Sequence, residues 1–376
     1  MPHSAGMDTT PVSFSSAYLG SHQPTPSAKL KIRDGAYIEP LDLSEPPWRL
    51  KAQVTRARCQ AALHCSRTDA VLAHESAAFV HGLPLWEAEP DITTIQRTAP
   101  RRVIYRYPVV DYPHPSGPAD GGSTHPGPTH PGSTRPRPTR PGRRTVHRRR
   151  VQVLPEEDVV YVEGLRVTSL ERTVLDCARE LHPRDALVVV DGHLRGCALA
   201  SGSDDVDDPG YKGAEQEARA SLLARLEGLK RGGARRGIKR ARAIVEQASA
   251  RAESPLESAL RWVILQAGFP EPVLQMPVSG PHGRYRVDLA WPRHRILVEA
   301  DGLLKYTGQD GRALAQEKIR EDDLRRLGTV LRFIWVDVAS LTPVVEELVR
   351  AFPDDVVANL HPVPGLQPPP NLRQFA

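Results

Sequence analysis

The segment 112–146 constrains the fold of this chain most, because it cannot contribute to a hydrophobic core. It consists mainly of Pro, Gly, Thr, His and Arg, and a Thr-His-Pro-Gly or Thr-Arg-Pro unit recurs through it. So little apolar surface cannot offset the entropy cost of ordering the backbone. We therefore predict a disordered, partly polyproline insertion over 112–146. Strand signals resume near Val146, so the insertion should lie inside a domain rather than between two domains.

A dense cluster of arginines occupies the end of the insertion and the residues that follow it. The chain as a whole is only mildly basic, with a formal net charge of +5, which by itself is weak support for a nucleic-acid partner. Clustered arginines can bind phosphates, so we predict DNA as a partner. The predicted DNA-binding residues are Arg143, Arg144, Arg148, Arg149 and Arg150. A GC-rich genome would also favour Arg and Pro, which is an alternative source of this composition.

The remaining sequence predicts an α/β chain, of the α+β kind, with two domains. The length of 376 residues suits two domains. Residues 1–28 lack hydrophobic periodicity and are predicted to be disordered. The predicted ranges that follow are a first domain at 29–200, a helical linker at 201–252, a second domain at 253–353 and a tail at 354–376. No run of about 18 apolar residues occurs, so we expect no membrane-spanning segment.

Clear signals give the order of elements in the second domain. Ser254, Pro255 and Glu257 are typical of the cap, the first position and the first turn of a helix. Three strands are expected near 273–278, 284–290 and 295–300, followed by a helix at 313–327, a strand at 329–335 and a last helix at 341–352. The predicted order is therefore helix, three-strand meander, helix, strand and helix.

Three carboxylates accompany the second and third of these strands. Asp288 stands in mid-strand, Glu299 ends the next strand, and Asp301 follows two residues later. Residues two apart in a strand point to one face, and a short turn should pair the two strands, so the carboxylates should converge. Their repulsion favours a bound cation, and oxygen ligands suit Mg²⁺ or Mn²⁺. We predict a metal site of Asp288, Glu299 and Asp301; the alternative is that they are solvated turn residues.

The sequence around these carboxylates resembles the restriction-endonuclease-like PD-(D/E)XK superfamily, and most closely the branch related to the very-short-patch mismatch repair endonuclease. The likeness extends over the second domain, with Glu257 in a helix, Asp288 in a strand, then Glu299-Ala-Asp301-Gly302, and a later charged helix. The resemblance implies an endonuclease that hydrolyses phosphodiester bonds with Mg²⁺ or Mn²⁺. It also implies that Glu257, Asp288, Glu299 and Asp301 are catalytic.

One position departs from the pattern of the superfamily. The superfamily has a lysine two residues after the strand glutamate, and this chain has Asp301 there. Such a lysine orients the attacking water or stabilises the transition state. Lys305 and Lys318 are the candidates to replace it from another element. The alternative for both lysines is a solvated surface charge.

The first domain resembles the AbiEi-type antitoxins of type IV toxin–antitoxin systems. The likeness lies in residues 70–86, 164–176 and 186–194. In that family an N-terminal winged helix-turn-helix binds promoter DNA, and residues 29–38 resemble the wing of such a module. The resemblance implies a DNA-binding protein with a cognate toxin as a second partner.

These observations lead to two hypotheses about function. The first is a metal-dependent DNA endonuclease. The alternative is a non-catalytic, antitoxin-like transcriptional regulator whose nuclease-like domain is only a scaffold. The N-terminus has no apolar signal-peptide segment, and the four cysteines lack metal-binding spacing. We therefore expect a cytoplasmic protein with reduced thiols.

Overall fold

A computed structural model of the chain has mixed α/β architecture, as predicted, and divides into two compact units. The first unit comprises Met1–Val80 and Ala88–Thr168, and the second comprises His81–Glu87 and Ser169–Ala376. The structure describes residues 12–14, 29–66, 69–98, 103–110, 112, 145–302 and 311–368, with side chains of 311–315 excepted.

Two sheets form the first unit. Its strands are β1 (Ser13–Phe14), β2 (Leu30–Arg33), β3 (Ala36–Ile38), β4 (Val71–Ala73), β5 (Ile92–Gln96), β6 (Ile104–Arg106), β7 (Val146–Val151), β8 (Val159–Val162) and β9 (Leu165–Thr168), and its helices are α1 (Pro47–His64) and α2 (His74–Val80). The sheet orders are β1-β3-β2 and β6-β7-β5-β4-β9-β8. Residues 29–38, which resemble a wing in sequence, form a hairpin: β2 and β3 pair antiparallel around Gly35, whose φ is +77°. The strand β1 lies in the segment predicted to be disordered, so that prediction is wrong at these residues.

The base of the insertion is closed by hydrogen bonds within the first unit. The strands β6 and β7 flank the insertion and pair antiparallel. Arg58 of α1 bridges its two sides, donating to the main-chain oxygen of Pro108 at 2.9 Å and to Thr145 Oγ1 at 3.2 Å. The insertion was predicted too long at both ends, because its first and last parts belong to the folded unit. Tyr112 donates a hydrogen bond to Glu89, and Thr145 is buried. The rest of it, 113–144, lies outside the described residues.

A four-stranded sheet and its surrounding helices form the second unit. The helices are α3 (Leu170–Glu180), α4 (Pro183–Leu199), α5 (Pro209–Arg231), α6 (Ile238–Gln247), α7 (Pro255–Ala267), α8 (Gly311–Leu327), α9 (Trp335–Ser340), α10 (Thr342–Ala351) and α11 (Asp354–Val357), and the strands are β10 (Val273–Gly280), β11 (Gly283–Trp291), β12 (Ile296–Ala300) and β13 (Thr329–Phe333). The sheet order is β10-β11-β12-β13, an antiparallel meander followed by β13 parallel to β12. The predicted order of elements is confirmed with α10 as the last predicted helix, but α9 was not predicted; Leu341, whose φ is +63°, separates α9 from α10.

The second unit extends beyond the predicted second domain at both ends. The helices α3 to α6, which we assigned to the first domain and a linker, belong to the same unit as the sheet. The predicted tail also packs here, because Trp262 Nε1 and His361 N donate to the main-chain oxygens of Leu366 and Gly268, each at 2.9 Å. The second unit extends this far because every residue of α7 from 256 to 265 is buried. A helix buried all round needs neighbours on every side.

A buried ion pair joins α7 to α4. Arg261 Nη2 donates to both carboxylate oxygens of Asp191, at 2.7 and 2.8 Å, and both side chains are 1% exposed. Asp191 also accepts from the main-chain N–H of Ser249 at 2.8 Å, and Arg261 donates to the main-chain oxygen of Gln247. One pair therefore connects α4, α7 and the segment that leads from α6 to α7.

The described helices and the cysteines bear on two expectations from the sequence. No helix in the described part of the chain is long and apolar enough to cross a membrane. All four cysteines are free thiols. Burial raises the pKa of the Cys59 thiol to about 12, so Cys59 is a core residue rather than a reactive nucleophile.

Breaking the buried pair should destabilise the second unit strongly. We expect Arg261→Met to lower the free energy of unfolding by about 3–5 kcal/mol, because it leaves the Asp191 charge buried without its partner. The double variant Asp191→Asn/Arg261→Met should be more stable than the single one, since no lone charge remains. Arg350→Met, which removes two exposed ion pairs on α10, is the control and should cost about 0–1 kcal/mol. Urea unfolding of all three variants measures this; a double variant as unstable as Arg261→Met would contradict it.

Candidate functional site

Glu257 lies in the first turn of α7, where its main chain and its side chain both bond to residues at the start of the helix. Ser254 is the N-cap, and its hydroxyl oxygen accepts from the main-chain N–H of Glu257 at 3.2 Å. The Glu257 carboxylate in turn accepts from Ser254 Oγ at 2.8 Å and from the main-chain N–H of Glu253 at 2.9 Å. Gln275 Nε2, from β10, donates to it at 3.0 Å. The N-cap residue and its neighbours therefore also hold a buried carboxylate next to the sheet.

Asp288 and Glu299 lie on neighbouring antiparallel strands, β11 and β12. Leu289 and Val298 are paired; Asp288 directly precedes Leu289 and Glu299 directly follows Val298, so the two acidic residues are next along the ladder. Asp288 Oδ2 accepts from the main-chain N–H of Ala300 at 2.8 Å, which ties its carboxylate to the end of β12. The strand register thus brings these two carboxylates together, as the sequence predicted.

Burial and repulsion from Asp288 raise the pKa of two nearby carboxyl groups, those of Glu257 and Glu299. Burial, and then the charge of Asp288, raise the pKa of Glu257 to about 7. Burial and the charge of Asp288 also raise the pKa of Glu299 to about 7, although the guanidinium of Arg320 acts in the opposite direction. Asp288 is therefore the charge that both glutamates share. Glutamates with such raised values are candidates for functional residues.

One oxygen of Glu299 has no hydrogen-bond partner among the described residues. Glu299 is 2% exposed, and its Oε2 atom accepts from Arg320 Nη2 at 2.8 Å. Its Oε1 atom is buried without a donor. A buried carboxylate oxygen normally has a donor, because leaving it unpaired costs about 1–3 kcal/mol or more. The deficit at Oε1 is one that a bound cation would remove.

Asp301 is part of an ion-pair network rather than of this group. Its main-chain N–H donates to Phe333 of β13 at 2.9 Å, and its Oδ2 atom accepts from Arg332 Nη1 at 3.1 Å. Arg332 Nη2 also donates to Glu317 of α8 at 2.8 Å, and Glu317 lies 3.6 Å from Arg320. Two arginines and Glu317 thus link Asp301 to Glu299. Within the described residues, no group of three or more His, Cys, Asp or Glu side chains could hold a metal ion.

Of the two predicted lysines, Lys318 is described, and it is placed differently from Arg320. Lys318 is exposed on α8, and residues two apart on a helix lie about 200° apart around its axis. Arg320, two residues later, therefore reaches Glu299 while Lys318 faces solvent. Lys305 lies outside the described residues. Arg320 was not among the predicted site residues, although its position one helical turn after Glu317 indicates that both side chains share a face of the helix.

The predicted DNA-binding arginines are partly described, and they lie in the first unit. Arg148, Arg149 and Arg150 are residues of β7, which pairs with β5 and β6. Arg148 is exposed and forms an ion pair with Asp91 at 3.1 Å. Strand alternation puts Arg148 and Arg150 on one face and Arg149 on the other. Arg143 and Arg144 lie outside the described residues.

Comparison with known proteins finds two similar chains, both from Mycobacterium tuberculosis. They are uncharacterized protein MT2308 and uncharacterized protein Rv2248. Each is 31% identical over 202 residues, which are 53% of this chain and 62% of the relative. The match thus spans less than two thirds of the length of these relatives, and neither name states an activity. No protein-family model and no solved structure matches the chain.

The contribution of Glu257 and Glu299 to the stability of the second unit should fall as the pH rises. Glu257 and Glu299 have a folded-state pKa of about 7, above the ordinary value of 4.5, so the folded state holds more protons between these values. The stability that these two glutamates contribute is therefore fully present below about pH 4.5 and is lost as the pH rises through about 7. We expect Asp288→Asn to reduce this loss by roughly 1–2 kcal/mol, because it removes the charge that both glutamates share.

Denaturant unfolding in EDTA at about pH 5 and about pH 8 measures this difference. Asparagine retains an oxygen that can accept from Ala300 N, so Asp288→Asn should keep that hydrogen bond. The matched control is Asp322→Asn, which makes the same change at an exposed position of α8. An equal pH dependence in wild type and Asp288→Asn would mean that the three carboxylates are not coupled.

Proposed function

We propose that the sheet and flanking helices of the second unit form a metal-dependent DNA endonuclease of the PD-(D/E)XK type. Support comes from the succession of α7, the meander β10-β11-β12, α8 and the parallel strand β13. Support also comes from the carboxylates of Glu257, Asp288 and Glu299, which three parts of that succession contribute to one region. In this proposal, DNA is the substrate and Mg²⁺ or Mn²⁺ is the cofactor.

The single observation that carries the proposal is the unpaired Oε1 atom of Glu299. It lies in a region where Asp288 adds a second negative charge, and a divalent cation would relieve both the missing partner and the repulsion. Asp288 and Glu299 would hold the ion, and a bound ion would activate water and neutralise charge on the phosphodiester. Asp301 is engaged by Arg332, so we assign it a supporting role.

The protein's own residues prepare this region without the ion. The main-chain N–H of Ala300 fixes the orientation of Asp288. Gln275, Ser254 and the N–H of Glu253 hold Glu257 against the repulsion from Asp288. Because these carboxylates are buried or half-buried, their charges interact more strongly than they would in bulk water.

Cleavage of supercoiled plasmid tests the endonuclease proposal. We expect the full chain to nick or linearise plasmid with Mg²⁺ or Mn²⁺, and to leave it intact in EDTA. Asp288→Asn should abolish cleavage, because it removes one of the two charges that hold the ion. Asp322→Asn on α8 should cleave like wild type. A wild-type protein that leaves plasmid intact with either metal would exclude the proposal for this substrate.

We further propose that the arginines of the insertion contribute to DNA binding. Replacing residues 113–144 by a short Gly-Ser linker removes Arg143, Arg144 and other arginines. It should leave thermal unfolding nearly unchanged, because Arg58 and the β6–β7 pairing close the base. The slope of log affinity against log salt should flatten by about 0.9 for each DNA phosphate that the shortened protein no longer binds. Fluorescence anisotropy with labelled duplex DNA at several salt concentrations measures the slope; an unchanged slope would exclude this role.

The second candidate function is a non-catalytic, antitoxin-like DNA-binding regulator with a cognate toxin as partner. The observation that favours it is the pairing of Glu299 and Asp301 with Arg320 and Arg332, which neutralises charge without a metal. The hairpin of β2 and β3, packed with α1 in a small core, is compatible with the wing of a DNA-binding module. DNA binding that persists in EDTA and in Asp288→Asn, without cleavage by wild type, would favour the regulator over the endonuclease.

A further inference from the structure

Arg320 connects α8 to both strands that carry the central carboxylates. Its Nη2 atom donates to Glu299 Oε2 at 2.8 Å and to the main-chain oxygen of Arg286 at 3.1 Å. Arg286 lies on β11, two residues before Asp288. A single nitrogen therefore bonds to β12 through a side chain and to β11 through the backbone, which restricts the position of the guanidinium.

The other side of the guanidinium is also held. Arg320 Nη1 lies 3.6 Å from Glu317, one turn earlier on α8. Glu317 accepts from Arg332 at 2.8 Å, so it is itself fixed by β13. The Arg320 side chain is only 23% exposed. Because contacts on both sides hold its guanidinium, the Arg320 side chain has few other conformations open to it.

Arg320 donates a hydrogen bond to one carboxylate oxygen of Glu299 and not to the other. An arginine that only neutralised a carboxylate could bind both oxygens with its two-pronged donor group. Here Oε2 accepts from Arg320, while Oε1 is buried without a donor among the described residues. The pairing therefore sets the rotation of the carboxylate and decides which oxygen is available.

We infer that Arg320 is a positioning residue: it holds Oε2 of Glu299 so that Oε1 is the oxygen that binds a divalent cation. Arg320 thereby supplies, from α8, a positive charge at a site where Asp301 occupies the position two residues after Glu299. This inference rests on the proposed function. It assigns to Arg320 an effect through Glu299, not a contact with DNA or with the ion.

Mn²⁺ titration of the full chain by calorimetry tests the inference. Loss of a group that orients a metal ligand typically weakens metal binding about 10–100-fold, and we expect an increase of this size in the Kd of Arg320→Gln. Arg320→Lys keeps the charge and should bind Mn²⁺ more tightly than Arg320→Gln. Arg326→Gln, which makes the same change at an exposed position of the same helix, should match wild type. A wild-type Kd in Arg320→Gln, or equal losses in the glutamine and lysine variants, would overturn the inference.

A double variant separates an effect through Glu299 from a direct one, and it removes both charges of the pair. If Arg320 acts through Glu299, then E299Q and E299Q/R320Q should bind Mn²⁺ with the same Kd, within about twofold. A further loss in the double variant would overturn the inference, because Arg320 would then act on its own. This comparison also serves if Arg320→Gln alone does not fold, since E299Q/R320Q leaves no lone buried charge.

Plasmid cleavage by the same protein preparations distinguishes the two proposals. Wild type that binds Mn²⁺ but leaves plasmid intact would exclude the endonuclease while the positioning role of Arg320 stands. Wild type that cleaves, together with an unchanged Kd in Arg320→Gln, would exclude the positioning role alone. Wild type that shows no Mn²⁺ binding would overturn both.

Discussion

The buried pair of Asp191 and Arg261 is the interaction on which the second unit depends. Two charges that are 1% exposed are costly unless each satisfies the other, so α4 and α7 can pack only in the arrangement that joins them. The same pair holds the segment between α6 and α7 through Ser249 and Gln247. Since α7 carries Glu257 and packs on β11 and β12, the position of the candidate site follows from this contact.

Within the candidate site, burial and repulsion disfavour the charged form of the glutamates, and pairing with arginine favours it. Burial and the charge of Asp288 raise the pKa of both Glu257 and Glu299, while Arg320 acts against this at Glu299. Pairing is incomplete, because Oε1 of Glu299 has no partner among the described residues. The two proposed functions differ in how this remaining deficit is met. An endonuclease would meet it with a divalent ion, whereas a regulator would tolerate it as a cost in stability.

Part of the fold and of the site could be predicted because the signals are local. Ser254, Pro255 and Glu257 act within one helical turn, so the start of α7 was predictable. The alternation of apolar residues gave the strands β11 and β12, and a short turn between them implied the pairing that brings Asp288 near Glu299. The extent of the second unit was not predictable in this way. It depends on how α4 and the residues after 353 pack on α7 and on how α3, α5 and α6 pack on α4, and no local pattern states that.

The sequence by itself determined most of the order of elements in the predicted second domain and the proximity of Asp288 to Glu299, because strand periodicity and helix capping depend only on near neighbours. Only the tertiary structure decided which acidic side chain pairs with which basic side chain. Lys318 and Arg320 are equally basic in the sequence, but about 200° of helical rotation exposes the first and brings the second to Glu299. Asp301 and Glu299 stand two residues apart, yet each binds a different arginine, from β13 and from α8. Side-chain partners across elements are set by packing, and packing involves residues far apart in the chain.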